Sequence, residues 1–377
     1  MLKLLDKTDD GKVRSLFAEL ETYHLAIGGV YAGIRAAKVW VDDLQNPRSA
    51  FMYSGHWYFV VGRPDNADFN HDLHALIMSP EFANDPFRGS PEEMFLHCYP
   101  LAWRDQFPVI FGERLPHYLA RSRYLFERFP FDWRTRIPEG FTVRRIDREL
   151  LENSSLKNIQ SVNGMVRHSW GAPSVETYNR QGVGACILHE NTIASWCLTV
   201  NIAGNACEMG IETDSDYRRL GLGTLAAMAA VDWSLQQGLT VIDWHCDDSN
   251  AGSRGVAEKA GFVKQWEYVN YPYFFDAGIH FTLGGDYCLA EKRYQEAIDW
   301  YKKAFANWPT PDAWLYHDAA RAYAMVGDRD TAFRHLNTAV DNGWKNLRFT
   351  QNCAEFRSLH DTPEWAAIIA RLREKHD

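Results

Sequence analysis

Apolar and polar residues alternate in two different ways along the first third of the chain, which predicts both helices and strands. A helix is predicted where apolar residues recur at helical spacing near the N-terminus: Val13, Leu16, Phe17, Leu20 and Tyr23. Short aromatic strands are predicted at residues 49–53 and 57–62, and another helix near residues 113–128. Residues 1–138 are therefore interpreted as one mixed α and β domain, in which we recognise no chemical motif.

From residue 139 the hydrophobic pattern gives a clearer order of elements. In chain order we predict a strand at Phe141–Asp147, helices to about His168, a hairpin at residues 184–200 that turns at residues 190–192, and a strand at residues 206–213. A glycine turn follows, then a helix at Leu225–Gln237 that ends before Gly238, and a strand at residues 240–246. Met228, Val231 and Leu235 form the predicted core stripe of that helix.

The chain changes character at about residue 284, where two versions of one helical pattern follow each other. The corresponding positions lie 35 residues apart: Ala297 with Ala332, Tyr301 with Leu336, and Ala304 with Ala339. Small residues at matching places in paired helices resemble tetratricopeptide repeats, so we predict a repeat-like helical domain at residues 284–377. Two interpretations of it stay open: a structural cap or dimer surface, and a groove that binds a protein partner.

The composition excludes two classes of function. The 377 residues carry a formal net charge of −9, so a basic surface for nucleic acid is not expected. No apolar run approaches the roughly 20 residues of a membrane span. The N-terminal sequence becomes charged too early for a signal peptide, and seven scattered cysteines are typical of reduced thiols. We therefore expect a cytoplasmic protein of two or three domains.

The cysteine and histidine positions do not predict a metal site. Cys186, Cys197 and Cys207 all fall within predicted strands, where a small apolar side chain in the core explains them. His71 and His74 lie one helical turn apart, but no third ligand stands at a recognisable spacing. We interpret both histidines as ordinary surface residues and expect no metal.

The segment "DYRRLGLGT" at residues 216–224 is the strongest chemical signal. Two arginines precede two glycines at the start of a predicted helix, where main-chain N–H groups and the helix dipole favour an anion. We expect the N–H groups from Arg219 to Thr224 to hold a pyrophosphate, with Arg218 and Arg219 adding charge. The alternative is a solvated pair of arginines at a helix start.

Two common phosphate motifs do not fit this turn. A Walker loop lacks its lysine, and a dinucleotide fingerprint would need a parallel unit in place of the antiparallel strands that precede the turn. Arg218-x-x-Gly221-x-Gly223 instead resembles the acetyl-CoA motif of the GNAT acetyltransferases. The second hallmark of that family is similar to a set of residues further along: Asn250, Ser253, Lys259, Gly261 and Phe262.

The resemblance covers residues 139–275 and implies the GNAT α/β (α+β) fold with a mostly antiparallel central sheet. The whole of residues 1–275 resembles the subfamily of zwittermicin-resistance acetyltransferases, which carry a divergent N-terminal region. The resemblance implies that backbone groups of Ile211 to Thr213, together with Asn250, bind the pantetheine arm. The predicted acetyl-CoA site comprises Ile211, Thr213, Arg218, Arg219, Leu220, Gly221, Leu222, Gly223, Thr224, Asn250 and Ser253. A plain helix N-cap is the alternative role of Asn250.

Acetyl transfer to an amine requires a base, because an ammonium group has no lone pair. Glu208 and Glu212 lie four residues apart in one predicted strand, so both side chains point to the same face. The resemblance favours Glu208 as the base, and Glu212 is the second candidate. Either could instead bind a cationic substrate or be an exposed strand residue. His245 is a weaker candidate, which we expect to be a half-buried structural histidine.

One position departs from the family pattern. Many GNAT enzymes carry a tyrosine seven residues after the motif asparagine, where it protonates the departing CoA thiolate. The residue here is Ala257. A thiolate needs no strong acid, since thiols have pKa values near 8.5. Water, Tyr268 or Tyr271 could then supply the proton.

Together these observations predict an enzyme that transfers an acetyl group from acetyl-CoA to a primary amine of a small molecule. The subfamily resemblance implies an aminated or peptide-like antibiotic and a role in self-resistance. One alternative is a protein N-acetyltransferase that recruits its target through the repeats. The other is an interaction protein that binds CoA without turnover.

Overall fold

The computed structural model describes residues 2–170 and 174–374. The chain forms two compact units, Met1–Tyr273 and Phe274–Asp377. The first unit is built on one sheet. Its strands are β1 (Lys3–Leu4), β2 (Lys38–Val41), β3 (Ser49–Ser54), β4 (Trp57–Gly62), β5 (Glu93–Tyr99), β6 (Leu119–Phe126), β7 (Phe141–Arg145), β8 (Gly184–His189), β9 (Thr192–Ala203), β10 (Ala206–Thr213), β11 (Val241–Asp247) and β12 (Phe262–Phe274).

The sheet has the strand order β1-β2-β3-β4-β5-β12-β6-β11-β10-β9-β8-β7. The β4–β5 and β10–β11 pairs are parallel, and most of the sheet is antiparallel as expected. Counted inward from one edge the strands are β1 to β5, and counted inward from the other edge they are β7 to β11. β1 to β5 therefore correspond to β7 to β11, and β6 and β12 correspond to each other at the centre. Residues 3–126 and 141–274 are therefore two halves of one arrangement. We call them the first half and the second half.

The two halves exchange their last strands. β6 ends the first half of the chain but pairs with β11, whereas β12 ends the second half and is the neighbour of β5. β6 and β12 also pair with each other at the centre of the sheet. The predicted boundary between residues 138 and 139 falls between β6 and β7. The sheet continues across this boundary, and the three-domain division stays a prediction.

Helices cover the sheet on both faces. In the first unit they are α1 (Arg14–Glu21), α2 (Leu25–Tyr31), α3 (Ala67–Ile77), α4 (Pro80–Ala83), α5 (Phe107–Phe111), α6 (Arg148–Glu152), α7 (Ile159–Trp170), α8 (Ser174–Gln181), α9 (Leu222–Gln236) and α10 (Ala251–Ala260). α2 and α7 pack on β9, and α9 packs on β8, β9 and β10. The predicted core stripe of α9 is too narrow, because every residue from Leu222 to Val231 is buried. A helix that is apolar on all sides is a core helix.

The helix predicted near residues 113–128 is wrong, because this segment contains β6. Arg121 and Arg123 interrupt the apolar pattern of the segment, so it lacks the regular alternation of a surface strand. β6 lies between β11 and β12, where both edges of its backbone find hydrogen-bond partners. Strand pairing with distant segments here overrides the local helical preference.

Locally encoded elements agree with the prediction. β8 and β9 form the predicted hairpin, and Glu190 adopts a left-handed conformation with φ of 51° at its turn. The turn before β10 contains Gly204 with φ of 59°. Cys186, Cys197 and Cys207 are buried in strands, as expected of core residues.

The second unit is helical. It comprises α11 (Ala277–Ala290), α12 (Tyr294–Asn307), α13 (Ala313–Met325), α14 (Arg329–Asp341), α15 (Leu347–Asn352) and α16 (Pro363–Glu374). α11 packs against α12, and α13 against α14. All of the residues that recur at the 35-residue spacing are buried: Ala297, Tyr301, Ala304, Ala332, Leu336 and Ala339. The recurring positions therefore form the contact faces of α12 and α14.

Candidate active site

The candidate site lies where β10 and β11 separate. Their parallel pairing runs from Ala206 opposite Val241 to Met209 opposite Trp244 and stops there, although both strands continue. The other edge of β10 stays paired with β9 as far as Thr213 opposite Ser195. Residues 210–213 therefore keep one backbone edge turned toward the gap between β10 and β11. An extended ligand can pair with such an edge as an added strand does.

The glycine turn leads from β10 into α9 and has the features of an anion site. Gly221 is the N-cap of α9, with φ of 80°, and no side chain caps the helix. Arg219 also adopts a left-handed conformation, with φ of 65°. Both residues are exposed, as are Arg218 and Leu220. The N–H groups of the first helical turn have no acceptor one turn back, so they are oriented toward an incoming anion.

Other residues of the turn have structural roles beside the predicted one. Arg218 Nε donates to the Thr213 carbonyl at 3.2 Å, which holds the turn against the end of β10. A Cβ at Gly223 would lie 3.0 Å from Thr213 Oγ1 and 3.5 Å from Ile211 Cδ1. Gly223 therefore allows α9 to pack closely on the strand, whereas Gly221 supplies the backbone conformation. Leu222 and Thr224 are buried beneath the turn.

Asn250 and Ser253 lie at the start of α10. The Asn250 side chain accepts from the Ser253 N–H at 2.9 Å, so Asn250 is the N-cap of α10. Ser253 Oγ accepts from Trp244 Nε1 at 3.0 Å and thereby ties α10 to β11. The N-cap alternative for Asn250 is thus confirmed. It leaves the second oxygen lone pair and the amide N–H groups of Asn250 for a ligand.

Glu208 is buried, with 9% of its surface exposed, and lies on β10 just before the strands separate. Asn201 Nδ2 donates to Glu208 Oε2 at 2.7 Å, and Asn201 Oδ1 accepts from Arg35 Nη1 at 2.6 Å. Burial raises the pKa of Glu208, while the Asn201 hydrogen bond and the Arg121 charge oppose that rise. A carboxylate with a raised pKa is a stronger base than an exposed one.

Glu212 lies on the same face of β10, as predicted, but in different surroundings. It is exposed, and its Oε2 accepts from Ser161 Oγ of α7 at 2.8 Å. The network around Glu208 also reaches α7, since Arg35 Nη1 donates to the Ser169 carbonyl at 2.6 Å. The register between β9 and β10 shifts at Glu208, where β9 has one extra residue. β10 itself alternates without interruption, so Glu208 and Glu212 still point to the same face. Of the two carboxylates, only Glu208 is buried.

His245 and Tyr268 form a hydrogen-bonded pair beside the gap. His245 directly follows Trp244, the last residue of β11 that pairs with β10. Its Nδ1 lies 2.8 Å from the Tyr268 hydroxyl. His245 as a whole residue is intermediate in exposure, as expected, and its side chain is only 2% exposed. Its burial lowers its pKa well below the ordinary value, and burial raises the pKa of Tyr268. Both groups are therefore neutral at physiological pH.

Tyr271, the other candidate acid, lies elsewhere. Its ring packs against Phe107, with ring centroids 5.0 Å apart, and against Tyr118 at 6.3 Å. These partners belong to the first half. The structure thus brings Glu208, His245 and Tyr268 into one region and leaves Tyr271 outside it.

Several charged residues around this region were not predicted. Arg123 forms a buried ion pair with Asp243, through both Nε and Nη2. Arg121 Nη1 lies 3.4 Å from Asp247 Oδ1, and its charge acts on both Glu208 and Tyr268. Both arginines belong to β6, the segment predicted as a helix. With this segment predicted as a helix, the sequence could not show that Arg121 and Arg123 lie opposite Asp247 and His245 of β11 on one face of the sheet.

Two features of the described ranges bear on function. Within residues 2–170 and 174–374, no group of three or more His, Cys, Asp or Glu side chains is arranged to hold a metal ion. None of the helices in the same ranges has the length and apolar character to cross a membrane.

Comparison with known proteins defines the class of this chain. A model of the GNAT acetyltransferase family matches residues 14–271, which is more than half of the chain and spans both halves of the sheet. The protein belongs to the GNAT acetyltransferase family and is an N-acetyltransferase of that type.

One curated relative and two solved structures are similar to this chain. The chain is 27% identical over 234 residues to the uncharacterized N-acetyltransferase YdfB of Bacillus subtilis (strain 168), covering 62% of this chain and 84% of the relative. A GCN5-related N-acetyltransferase-like protein from Streptococcus suis 89/1591 has a similar fold, with a TM-score of 0.51 and 22% identity over 71% of this chain and 99% of that one. A tandem GNAT protein from the clavulanic acid biosynthesis pathway matches with a TM-score of 0.47 and 16% identity over 73% and 98% of the chains.

Proposed function

We propose that this enzyme transfers the acetyl group of acetyl-CoA to a primary amine of a small molecule, with Glu208 as the base. The observation that carries the proposal is the buried Glu208 carboxylate at the point where β10 and β11 separate. Burial raises its pKa, which suits a group that must take a proton from an ammonium near neutral pH. The exposed Glu212 lacks this feature and is the second candidate.

The cradle for acetyl-CoA is assigned to the residues of the glycine turn. The pyrophosphate would meet the N–H groups of residues 219–224, because Gly221 has open space beside it and the start of α9 has no side-chain cap. The free edge of residues 211–213 would pair with the pantetheine arm. Asn250 and Ser253, at the start of α10, would bind the same arm.

The proton for the departing thiolate is assigned to Tyr268. Position 257 cannot supply one, because the alanine side chain has no acidic group. Tyr268 stays protonated at physiological pH, since burial raises its pKa, and its hydroxyl is held by His245. A neutral phenol is a sufficient acid for a thiolate, whose conjugate acid has a pKa near 8.5.

The biological setting is proposed from the sequence pattern. The resemblance to zwittermicin-resistance enzymes suggests an aminated or peptide-like antibiotic as the acceptor. A cytoplasmic location is supported by the seven cysteines, all of them buried and unpaired in the structure. The paired helices of the second unit, with their recurring buried positions, support a tetratricopeptide-like surface for a protein partner or for self-association.

A thiol-release measurement tests the proposal. The purified full-length enzyme, with acetyl-CoA and a panel of small amines, should release CoA thiol only when a suitable amine is present. Mass spectrometry should find the acetylated amine. If acetyl-CoA binds but no amine or peptide causes thiol release, the enzymatic proposal is wrong and a non-catalytic CoA-binding role replaces it. If only peptide amines react, the protein-acetyltransferase alternative replaces the small-molecule one.

A further inference from the structure

A set of buried polar atoms without hydrogen-bond partners lies on the face of the sheet that carries Glu208. In the described part of the chain, these atoms belong to Asp247 and to five residues that we call the buried polar cluster: His24, His97, Arg121, His245 and Asn270. The unpartnered atoms of the cluster are His24 Nε2, both ring nitrogens of His97, Arg121 Nε, His245 Nε2, and both amide atoms of Asn270, and Asp247 Oδ1 lies beside them. His24, His97 and Asn270 are 6%, 1% and 0% exposed.

The cluster is contiguous and is built by both halves of the first unit. The ring centroids of His24 and His97 are 3.8 Å apart, and those of His24 and His245 are 6.4 Å apart. Tyr268 lies among them, 5.5 Å from His24 and 6.1 Å from His97. Arg121 is opposite Tyr268 in the β6–β12 pairing. Asn270 is one pleat further along β12 on the same face.

Such a concentration of unpaired polar atoms is costly in a folded protein. Nearly all buried polar groups have partners, and each one left without a partner carries its full desolvation penalty. Imidazole nitrogens in particular would be replaced by apolar atoms if they only filled space. The cluster is therefore a place where a polar molecule completes the hydrogen bonds.

The position of the cluster relates it to the proposed acetyl transfer. His245 is the residue after Trp244, where the pairing of β10 and β11 stops. Tyr268, its hydrogen-bond partner, is within electrostatic reach of Glu208. The cluster thus begins at the proposed transfer point and extends across β6 and β12 to β5. The side chains of Arg121 and Asp247 are 15% and 35% exposed, so the cluster opens to solvent at this end.

The chemistry of the cluster selects the occupant. Arg121 Nε and the Asn270 amide N–H groups can only donate, and each neutral imidazole adds one N–H donor and one acceptor nitrogen, so the occupant must bring acceptors for these donors. Arg121 and Arg123 face the histidines, and together with burial they lower the pKa of His24 to about 3. A carboxylate would meet these donors and the charge of Arg121, whose contact with Asp247 is 3.4 Å long and partly exposed. Asp243 pairs with Arg123, and its Oδ1 lies 4.0 Å from His245 Nε2, beyond hydrogen-bond distance.

We propose that the buried polar cluster binds a carboxylate of the acceptor, so that the substrate is an amino acid or a similar amino-carboxylate whose amine reaches Glu208. The inference rests on the proposed function, since it names the substrate class of the same site. Arg121 makes the charged contact, and His24 and His97 of the first half donate the neighbouring hydrogen bonds. The first half then contributes residues to the acceptor site, in addition to its structural role.

Matched pairs of compounds test this inference. The full-length enzyme with acetyl-CoA is offered each common amino acid and the amine that remains after its decarboxylation, such as lysine with cadaverine and tryptophan with tryptamine. Charged hydrogen bonds of this type are worth about 10- to 100-fold in kcat/KM, so at least one amino acid should exceed its amine by that factor. Preference for the decarboxylated amines, or equal turnover, would overturn the inference while leaving the acetyltransferase proposal in place.

Two conservative variants and one control localise the effect. Arg121→Lys keeps the charge and loses the Nε donor, and His97→Asn keeps a neutral polar group of different reach. Both should reduce the ratio of kcat/KM for the amino acid to that for its matched amine, and the change should appear in KM. His56→Asn is the control, because His56 is equally buried but belongs to a separate pair with His168. A similar loss of preference in His56→Asn would assign the effect to general destabilisation and overturn the inference.

A binding measurement decides the inference even if no compound is acetylated. Thermal shifts of the CoA-loaded protein are recorded with each amino acid and its amine. Stabilisation by an amino acid alone, lost in Arg121→Lys and His97→Asn, would support the carboxylate site although the proposed transfer had failed. Equal shifts with both members of each pair, or no shifts with any compound, would mean that the cluster holds only water.

Discussion

The first and second halves of the sheet share one strand order, but their parallel strand pairs separate at different points, and the proposed acetyl-CoA site lies in the second half. In the first half β4 and β5 stay paired from Trp57 opposite Phe95 to Val61 opposite Tyr99. In the second half the equivalent pairing stops at Met209 and Trp244. A pantetheine arm therefore finds a free strand edge in one half and a closed ladder in the other.

The helices that follow β4 and β10 also differ in how their N-termini are capped. α9 begins at the exposed Gly221 without a side-chain cap, whereas α3 begins at Asn66, whose side chain accepts from the Phe69 N–H at 3.2 Å. The cleft beside α3, of about 550 Å³, contains Asp42, Asp43, Asp65 and Asp68 and only two arginines. Carboxylates at that position repel a pyrophosphate. The helix start of the second half, where the pyrophosphate is proposed to bind, is thus uncapped, whereas that of the first half carries a side-chain cap and negative charge.

Both halves retain one short sequence in common. β5 contains His97-Cys98 and β11 contains His245-Cys246, and the two histidines meet in the buried polar cluster with His24 between them. With these dipeptides aligned, Trp57 of β4 takes the place of Glu208 of β10. The comparison teaches that one strand arrangement occurs twice, while the proposed base and the proposed phosphate turn each occur once.

The largest expected effect comes from putting a carboxylate at each helix start. Gly221→Asp should abolish acetyl-CoA binding in calorimetry, because it places negative charge where the pyrophosphate is proposed to sit. Ala67→Asp, at the exposed first residue of α3, should leave the affinity unchanged. Gly221→Ala controls for the backbone, since a left-handed residue other than glycine costs about 1 kcal/mol. Unchanged affinity in a folded Gly221→Asp protein would remove the phosphate cradle.

The next largest effect concerns the base that the first half lacks. Glu208→Gln should lower kcat by roughly 10²–10⁴-fold and keep acetyl-CoA affinity, which is the usual share of a general base. Glu212→Gln is the matched control on the same face of β10. A substrate-binding role of Glu212 should raise KM with little change in kcat. A rate loss confined to Glu212→Gln would transfer the role of base to that residue.

The sequence predicted the parts of this comparison that are local. The β8–β9 hairpin and the glycine turn follow from neighbouring residues, and so does the facing of Glu208 and Glu212. β6 was not predictable in this way, because its partners are distant: Arg123 pairs with Asp243, 120 residues along the chain. Arg121, His24 and His97 were not predicted as site residues, because they come together only when the two halves exchange β6 and β12. The His-Cys dipeptide that occurs in both β5 and β11 was the one local indication of the two related halves.

A third effect is the pH dependence of the base. Burial raises the pKa of Glu208, so kcat/KM should fall as the pH drops through that raised value, where the carboxyl takes up a proton. Glu208→Gln should lose this step and retain only the rise with pH that reflects ionisation of the amine. A pH–rate profile of both proteins on one acceptor checks this. Identical profiles would exclude Glu208 as the titrating group.

The same pKa shift has a consequence for stability. A carboxyl whose pKa is raised in the folded state stabilises the fold fully below its unfolded pKa, and that contribution is lost as the pH rises through the folded value. Glu208→Gln should therefore gain stability relative to the parent as the pH rises from acid to neutral. Thermal unfolding across this range measures it, and a constant difference would contradict the assignment of the shift.

The smallest effect tests whether the first half has lost its ligand role at the helix start. Asn66 caps α3 and also donates to Asp42 Oδ2 at 2.9 Å, so Asn66→Ala should cost about 1 kcal/mol of the free energy of unfolding. Acetyl-CoA affinity and kcat should not change, because a protein side chain already occupies the donors that an anion would need. Denaturant unfolding and calorimetry on the same preparation separate the two outcomes. If Asn66→Ala alters acetyl-CoA affinity, the capped helix start still takes part in binding, and the division of roles between the halves is less complete than their helix starts indicate.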